Sequence, residues 1–113
     1  MIFSARNEDG EEAWRMVLGG RKTVTRRTRP VDPGKIRAVQ AKRGGKALGH
    51  IRILSCEWDK LWRAKHLTSP EEAEAEAKRE GYKTLEGLWR WLKSHVSGEL
   101  YRIEFKIEGA DRA

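Results

Sequence analysis

From Tyr101 to Glu108 the chain reads Tyr-Arg-Ile-Glu-Phe-Lys-Ile-Glu, apolar and polar in turn without a fault. A period of two describes a strand with one face buried and one face wet, which needs strand partners and a layer against its apolar side. The partners are sought upstream. Met1–Ala5 reads as a short strand, Thr23–Arg27 as a second and Lys35–Ala41 as a third. Lys42-Arg43-Gly44-Gly45-Lys46 forms a glycine turn that sends the chain back as Leu48–Cys56, with Ile51 and Ile53 alternating against Arg52 and Leu54.

Three helices complete the outline. Asn7-Glu8-Asp9 offers caps and first-turn acids for a helix over Gly10–Leu18, where Trp14, Val17 and Leu18 mark the buried face and Gly19-Gly20 ends it. Ser69-Pro70-Glu71-Glu72 starts a second helix, with a cap, a first-position proline and a glutamate three residues on; it stops at Gly81. Thr84 caps the third, striped by Leu85, Leu88, Trp89, Leu92 and Val96. The order β-α-β-β-β-α-α-β, with short strands and glycine turns, predicts one domain: a small curved sheet or barrel flanked by helices.

The charge is unevenly placed. The chain of 113 residues has a net charge of +7, and 21–52 holds 11 Lys/Arg against one acid, Asp32. A field this one-sided attracts anions, and nucleic acid is the commonest large one. Glycine, proline and strand residues in this segment argue against a basic membrane helix, and no window reaches 18 apolar residues. The lone Cys56 cannot form an internal disulfide, which with the lack of a secretory leader predicts a cytoplasmic protein; Cys56 itself reads as a small core residue. His50, His66 and His95 lack ligand spacing, so neither metal nor cofactor is expected.

The densest chemistry lies in Gly19–Pro30, which combines two glycines, five cations and three threonines without a carboxylate. Arginine forks, a lysine point charge and hydroxyl donors are the side chains that hold phosphate oxygens. Arg21, Arg26, Arg27, Arg29, Arg37, Lys42, Arg43 and Lys46 are the expected nucleic-acid contacts. Trp14 and Trp89 lie on core stripes, which leaves Tyr82, Trp58, Trp62 and Trp91 as candidate stacking platforms.

Gly-Arg-Lys-Thr-Val-Thr-Arg-Arg at 20–27 resembles the signature of the ASCH (activating signal cointegrator homology) family. Pro33–Gln40 leading into Ala47–Leu54, Glu80-Gly81-Tyr82 before Thr84–Trp89, and Tyr101–Phe105 agree with it in order. The resemblance implies a single ASCH domain over 1–113, α+β and mainly β. Its fold would be a PUA-like pseudo-barrel of about five to six strands with three flanking helices and a cleft between sheet and helices. It also implies RNA as a partner. One branch, the small bacterial amidohydrolases that deacetylate N4-acetylcytidine, is similar at the motif itself. By position Lys22 then matches its base-like lysine, Thr25 its nucleophile and Glu80 its carboxylate, while Arg27 falls on a motif arginine. Arg26 departs from the pattern, standing where that branch has an apolar residue, and the more basic flanks favour a longer anionic ligand.

Three functions follow from this reading: an RNA- or modified-nucleoside-binding module, an amidohydrolase acting on N4-acetylcytidine-type nucleosides, and a ribonuclease using Lys22 as an electrostatic stabiliser. Threonine needs a base to attack at neutral pH, and Lys22 can serve only if burial and neighbouring cations lower its pKa. Residues three apart on a strand face opposite ways, so Lys22 and Thr25 can meet only if Lys22 precedes the strand. If the strand starts earlier, the pair fails. Oligomeric state is not legible.

Overall fold

The computed structural model describes residues 1–59, 69–96 and 98–110, without the side chains of 109 and 110. Its elements are α1 (Ala13–Leu18), β1 (Val24–Arg27), β2 (Ile36–Val39), β3 (Gly49–Trp58), α2 (Pro70–Arg79), α3 (Leu85–His95) and β4 (Tyr101–Ala110). The strands form one antiparallel sheet in the order β1-β4-β3-β2. The faultlessly alternating segment is a strand, as expected, and the structure places it inside the sheet: Ile103 pairs with Thr25 on one side and with Cys56 on the other. The result is the expected small α+β fold: the sheet is not a closed barrel but is consistent with a small pseudo-barrel, with four strands in the sheet and three helices among the described residues. No helix there is long and apolar enough to cross a membrane.

Two apolar clusters hold the layers together. Phe3, Val17, Val39, Ile51, Ile53, Ile103 and Phe105 pack between the sheet and α1, with the Phe3 and Phe105 rings 5.7 Å apart. Ala73, Ala77, Tyr82, Leu88, Leu92 and Leu100 form the second cluster, around α2 and α3. Small alanines on α2 let α3 approach closely, and the Leu88/Leu92 stripe fills the contact. A bulge between Ile53 and Ser55 turns Leu54 out to solvent and returns Cys56 to the core side, where its sulfur accepts the Val31 N–H at 3.5 Å.

The N-terminus departs from the expected strand. Ile2 makes only an isolated parallel bridge to Gln40. The carbonyls of Phe3 and Ala5 instead accept the amides of Trp14 and Ala13, satisfying donors at the start of α1. That helix begins at Ala13, three residues late, because Gly10 is left-handed (φ 79°) and Asn7 folds its side chain back to accept the Asp9 and Glu11 amides. Glu8, expected in the first turn of α1, accepts the Lys83 and Thr84 amides ahead of α3. The predicted starts of α2 and α3 stand as drawn: Ser69 accepts from the Glu72 amide and Thr84 from Gly87.

Candidate functional site

The glycine pair sets the geometry. Gly19 closes α1, Gly20 turns left-handed at φ 76°, and the Arg21 and Lys22 amides both donate to Met16 O. Thr23 then donates to Arg79 O at 2.8 Å and accepts the Phe105 amide at 2.9 Å, which wedges the start of β1 between β4 and the end of α2. The strand starts at Val24, so its alternation does not extend back to Lys22. Lys22 and Thr25 consequently line one cavity of about 100 Å³, walled also by Phe3, Glu80, Tyr82 and Trp91.

Lys22 is 5% exposed. Its Nζ donates to Val24 O at 3.0 Å and to Glu80 O at 2.7 Å. Both partners are neutral carbonyls. Burial therefore dominates and brings the Lys22 pKa down to about 8; the Glu80 charge opposes the shift, and Arg27 and Arg26 assist it. Thr25 is buried too, and its Oγ1 accepts from Arg27 Nε at 3.2 Å, which leaves the hydroxyl proton free to be donated. Arg27 is held by Ile2 O at 2.7 Å and lies over the Phe3 ring at 4.9 Å.

Arg26 is the largest departure from the sequence reading. Its side chain is 1% exposed and points under α2 instead of toward a phosphate. Nε donates to Asp59 at 2.7 Å, one terminal nitrogen to Glu76 at 2.7 Å and the other to Glu80 at 2.5 Å, while the Arg26 amide takes the second Glu80 oxygen at 3.0 Å. Strand alternation causes this: Thr25 faces the cavity, so Arg26 faces the helix, where Glu76 and Glu80 stand one turn apart. Arg102 pairs opposite Arg26 across the strands, an unfavourable meeting of like charges. Glu76 bridges them, accepting two bonds of 2.8 Å from Arg102. Burial works to raise the Glu76 pKa, but the hydrogen bonds and charges of Arg102 and Arg26 win and hold it at about 2.

The other predicted residues separate into two groups. Tyr82 and Trp91 join Lys22, Thr25, Arg26, Arg27 and Glu80 around the cavity. Arg21 lies outside, paired with Glu11 at 2.5 Å. Arg29 follows β1, Arg37 lies on edge strand β2, and Lys42, Arg43 and Lys46 lie in the β2–β3 turn; all five are exposed and none lines the cavity. Trp58, 53% exposed at the end of β3, is also away from it, and Trp62 lies outside the described residues. Sequence reasoning missed Asn7, whose Nδ2 reaches Gly81 O at 3.1 Å and fixes the cavity wall, and it missed Asp59. The Glu76/Glu80 spacing facing a strand arginine was the legible signal for the buried network. Among the described residues no group of three or more His, Cys, Asp or Glu is arranged to hold a metal ion.

No protein-family model matches this chain, and no curated protein matches it. Among solved structures it is similar to protein EF3133 from Enterococcus faecalis V583, of the family DUF984. The TM-score is 0.60 at 16% identity, over 99% of this chain and 82% of that one. An identity this low speaks for a shared fold and for nothing about chemistry, and the comparison names neither the ASCH family nor a PUA domain. What the chain shares with that protein is therefore its small α+β architecture.

Proposed function

We propose that the protein is an amidohydrolase that removes the acyl group from an N4-acetylcytidine-type base, in line with the ASCH resemblance. The observation that carries the reading is a buried lysine, held by two carbonyls rather than a carboxylate, in the same small cavity as a buried threonine. A lysine in that state is partly neutral near pH 8 and can act as a base. Neutral Lys22 Nζ takes the Thr25 hydroxyl proton as Oγ1 attacks the acyl carbon. Arg27, already donating to Oγ1, supplies positive potential for the charge that develops there. Collapse of the tetrahedral species breaks the C–N bond, and the Lys22 ammonium returns its proton to the departing amine. Water, deprotonated by Lys22, then cleaves the threonine ester and regenerates the hydroxyl. Glu80 is a positioning residue in this scheme: its carbonyl holds Lys22 and its carboxylate holds Arg26.

The size of the cavity supports a small reacting group. At about 100 Å³ it falls below the roughly 300–1,000 Å³ of pockets that engulf drug-sized ligands, so it suits an acyl group with the edge of one ring. Loss of absorbance of N4-acetylcytidine on incubation tests the reading. Thr25→Ala should abolish turnover; a variant that keeps it removes the nucleophile. A specific observation favours RNA binding as the second reading: Arg37, Lys42, Arg43 and Lys46 are exposed and have no carboxylate partner among the described residues. If about five cations contact a single strand, log K should fall with log salt at a slope of about −3.5. Binding of that kind without turnover favours the module over the enzyme.

A further inference from the structure

Beside the reactive cavity lies a second, larger space that the proposed chemistry leaves unused. This outer groove, of about 270 Å³, shares Arg6, Asn7, Tyr82 and Trp91 with the inner cavity, so the two adjoin across these residues. Its floor is a helical stripe of α3: Gly87, Arg90, Trp91, Ser94 and His95, opposite the Leu88/Leu92 stripe in the core. A Cβ on Gly87 would lie 2.3 Å from a Glu8 oxygen, so a larger residue there would displace the Glu8 carboxylate.

The groove carries a definite chemistry. The Trp91 and His95 rings are stacked at 4.5 Å and 11°. His95 Nδ1 lies 2.9 Å from Trp91 O; because a carbonyl only accepts, Nδ1 is the donor and Nε2 is left for another partner. Two guanidiniums line the groove. Arg6 makes a single long bond of 3.4 Å to Gly10 O. Arg90 makes only a surface pair with Glu86, at side-chain exposures of 73% and 82%, an arrangement worth little in water. The acid in the groove, Glu8, is already engaged by the Lys83 and Thr84 amides and the Thr84 hydroxyl.

We infer that the outer groove is a ribose-phosphate subsite, and that the substrate is a nucleotide rather than a free nucleoside. This inference rests on the amidohydrolase reading for the inner cavity. A base whose acyl group enters the inner cavity must leave its sugar outside, in the groove. An uncharged ribose would use the Trp91–His95 stack and neither guanidinium. A phosphate on that ribose gives Arg6 and Arg90 an acceptor of opposite charge, while His95 Nε2, an acceptor once Nδ1 carries the proton, suits a ribose hydroxyl. The same chemistry is presented by a free nucleoside monophosphate and by a residue within an RNA strand.

The test compares kcat/KM for N4-acetylcytidine, for its 5′-monophosphate and for a short single-stranded RNA with one internal N4-acetylcytidine. The expected result is a preference of about tenfold or more for a phosphorylated form, shrinking with added salt and collapsing toward unity in Arg6→Gln/Arg90→Gln. Whether the mononucleotide or the strand is favoured identifies the source. Equal rates on all three overturn the inference while leaving the amidohydrolase standing. If nothing is turned over, the groove is still tested by binding of cytidine 5′-monophosphate against cytidine, read by tryptophan fluorescence with Trp91→Phe as the reporter control. Tighter binding of the phosphate form, lost in the double variant, supports the subsite; equal binding overturns it.

Discussion

Replacing Arg26 with Met probes the most connected side chain of the site. The substitution keeps the volume and removes a cation that three carboxylates share. Glu76 retains two bonds from Arg102, but Glu80, 4% exposed, keeps only the amide of residue 26, and Asp59 loses Nε. Removing one partner of a buried pair costs about 3–5 kcal/mol, against a total stability of about 5–15 kcal/mol for a domain. With a urea m-value of about 1.5 kcal/mol/M, the unfolding midpoint should fall by roughly 2–3 M at pH 7.5. The pH dependence should reverse as well. In the native protein Glu76 is held at about 2, so the stability it contributes is present above its unfolded value and is lost as acid approaches that pH. In Arg26→Met, protonating the buried carboxyls relieves the charge excess, so the variant should be more stable at pH 5 than at pH 7.5. Adding Glu80→Gln should recover at least about 1 kcal/mol at neutral pH. A midpoint within about 0.5 M of the parent protein at pH 7.5 would refute the view of Arg26 as a structural hub and return it to the surface cations.

Two further perturbations address the lysine and the wall beside it. The Lys22 pKa, lowered to about 8, predicts that kcat/KM rises with pH and levels off above about 8; a flat profile between pH 6.5 and 9 removes Lys22 as the base. The same shift has a linkage consequence. Between about 8 and the ordinary lysine value of 10.5 the unfolded chain binds more protons, so stability rises with pH there, by up to about 3 kcal/mol. Lys22→Met should lose that rise while being at least as stable at pH 7, which paired urea titrations at pH 7 and 10 would measure. Gly81 sits at φ 95°, and a Cβ there would lie 2.9 Å from Met16 Cε. Gly81→Ala should cost about 1–3 kcal/mol and lower Tm by roughly 5–15 °C; a melt within 2 °C of the parent protein would mean that the wall tolerates the change.

Local chemistry made much of the outline legible in the sequence. The alternation of Tyr101–Glu108, the caps Ser69 and Thr84, and the stop at Gly19-Gly20 each act within a few residues, so a pattern suffices to read them. The N-terminal segment was misread because the carbonyls of Phe3 and Ala5 are claimed by α1 and the Asn7 side chain by its own turn. Lys22, Thr25 and Glu80 were assembled from a resemblance, and the structure places all three around one cavity.

What the amino-acid sequence determined alone was the inventory: a half-buried alternating strand, helices with marked ends, and a cationic run after a glycine pair. Only the tertiary structure decided what each cation does. Neighbours in the run, Arg26 and Arg27, part because a strand sends adjacent side chains to opposite faces, one into a cage of carboxylates and the other toward a threonine hydroxyl. Whether a charge is solvated or buried depends on what folds over it. For Lys22 that is Glu80, 58 residues away in the chain.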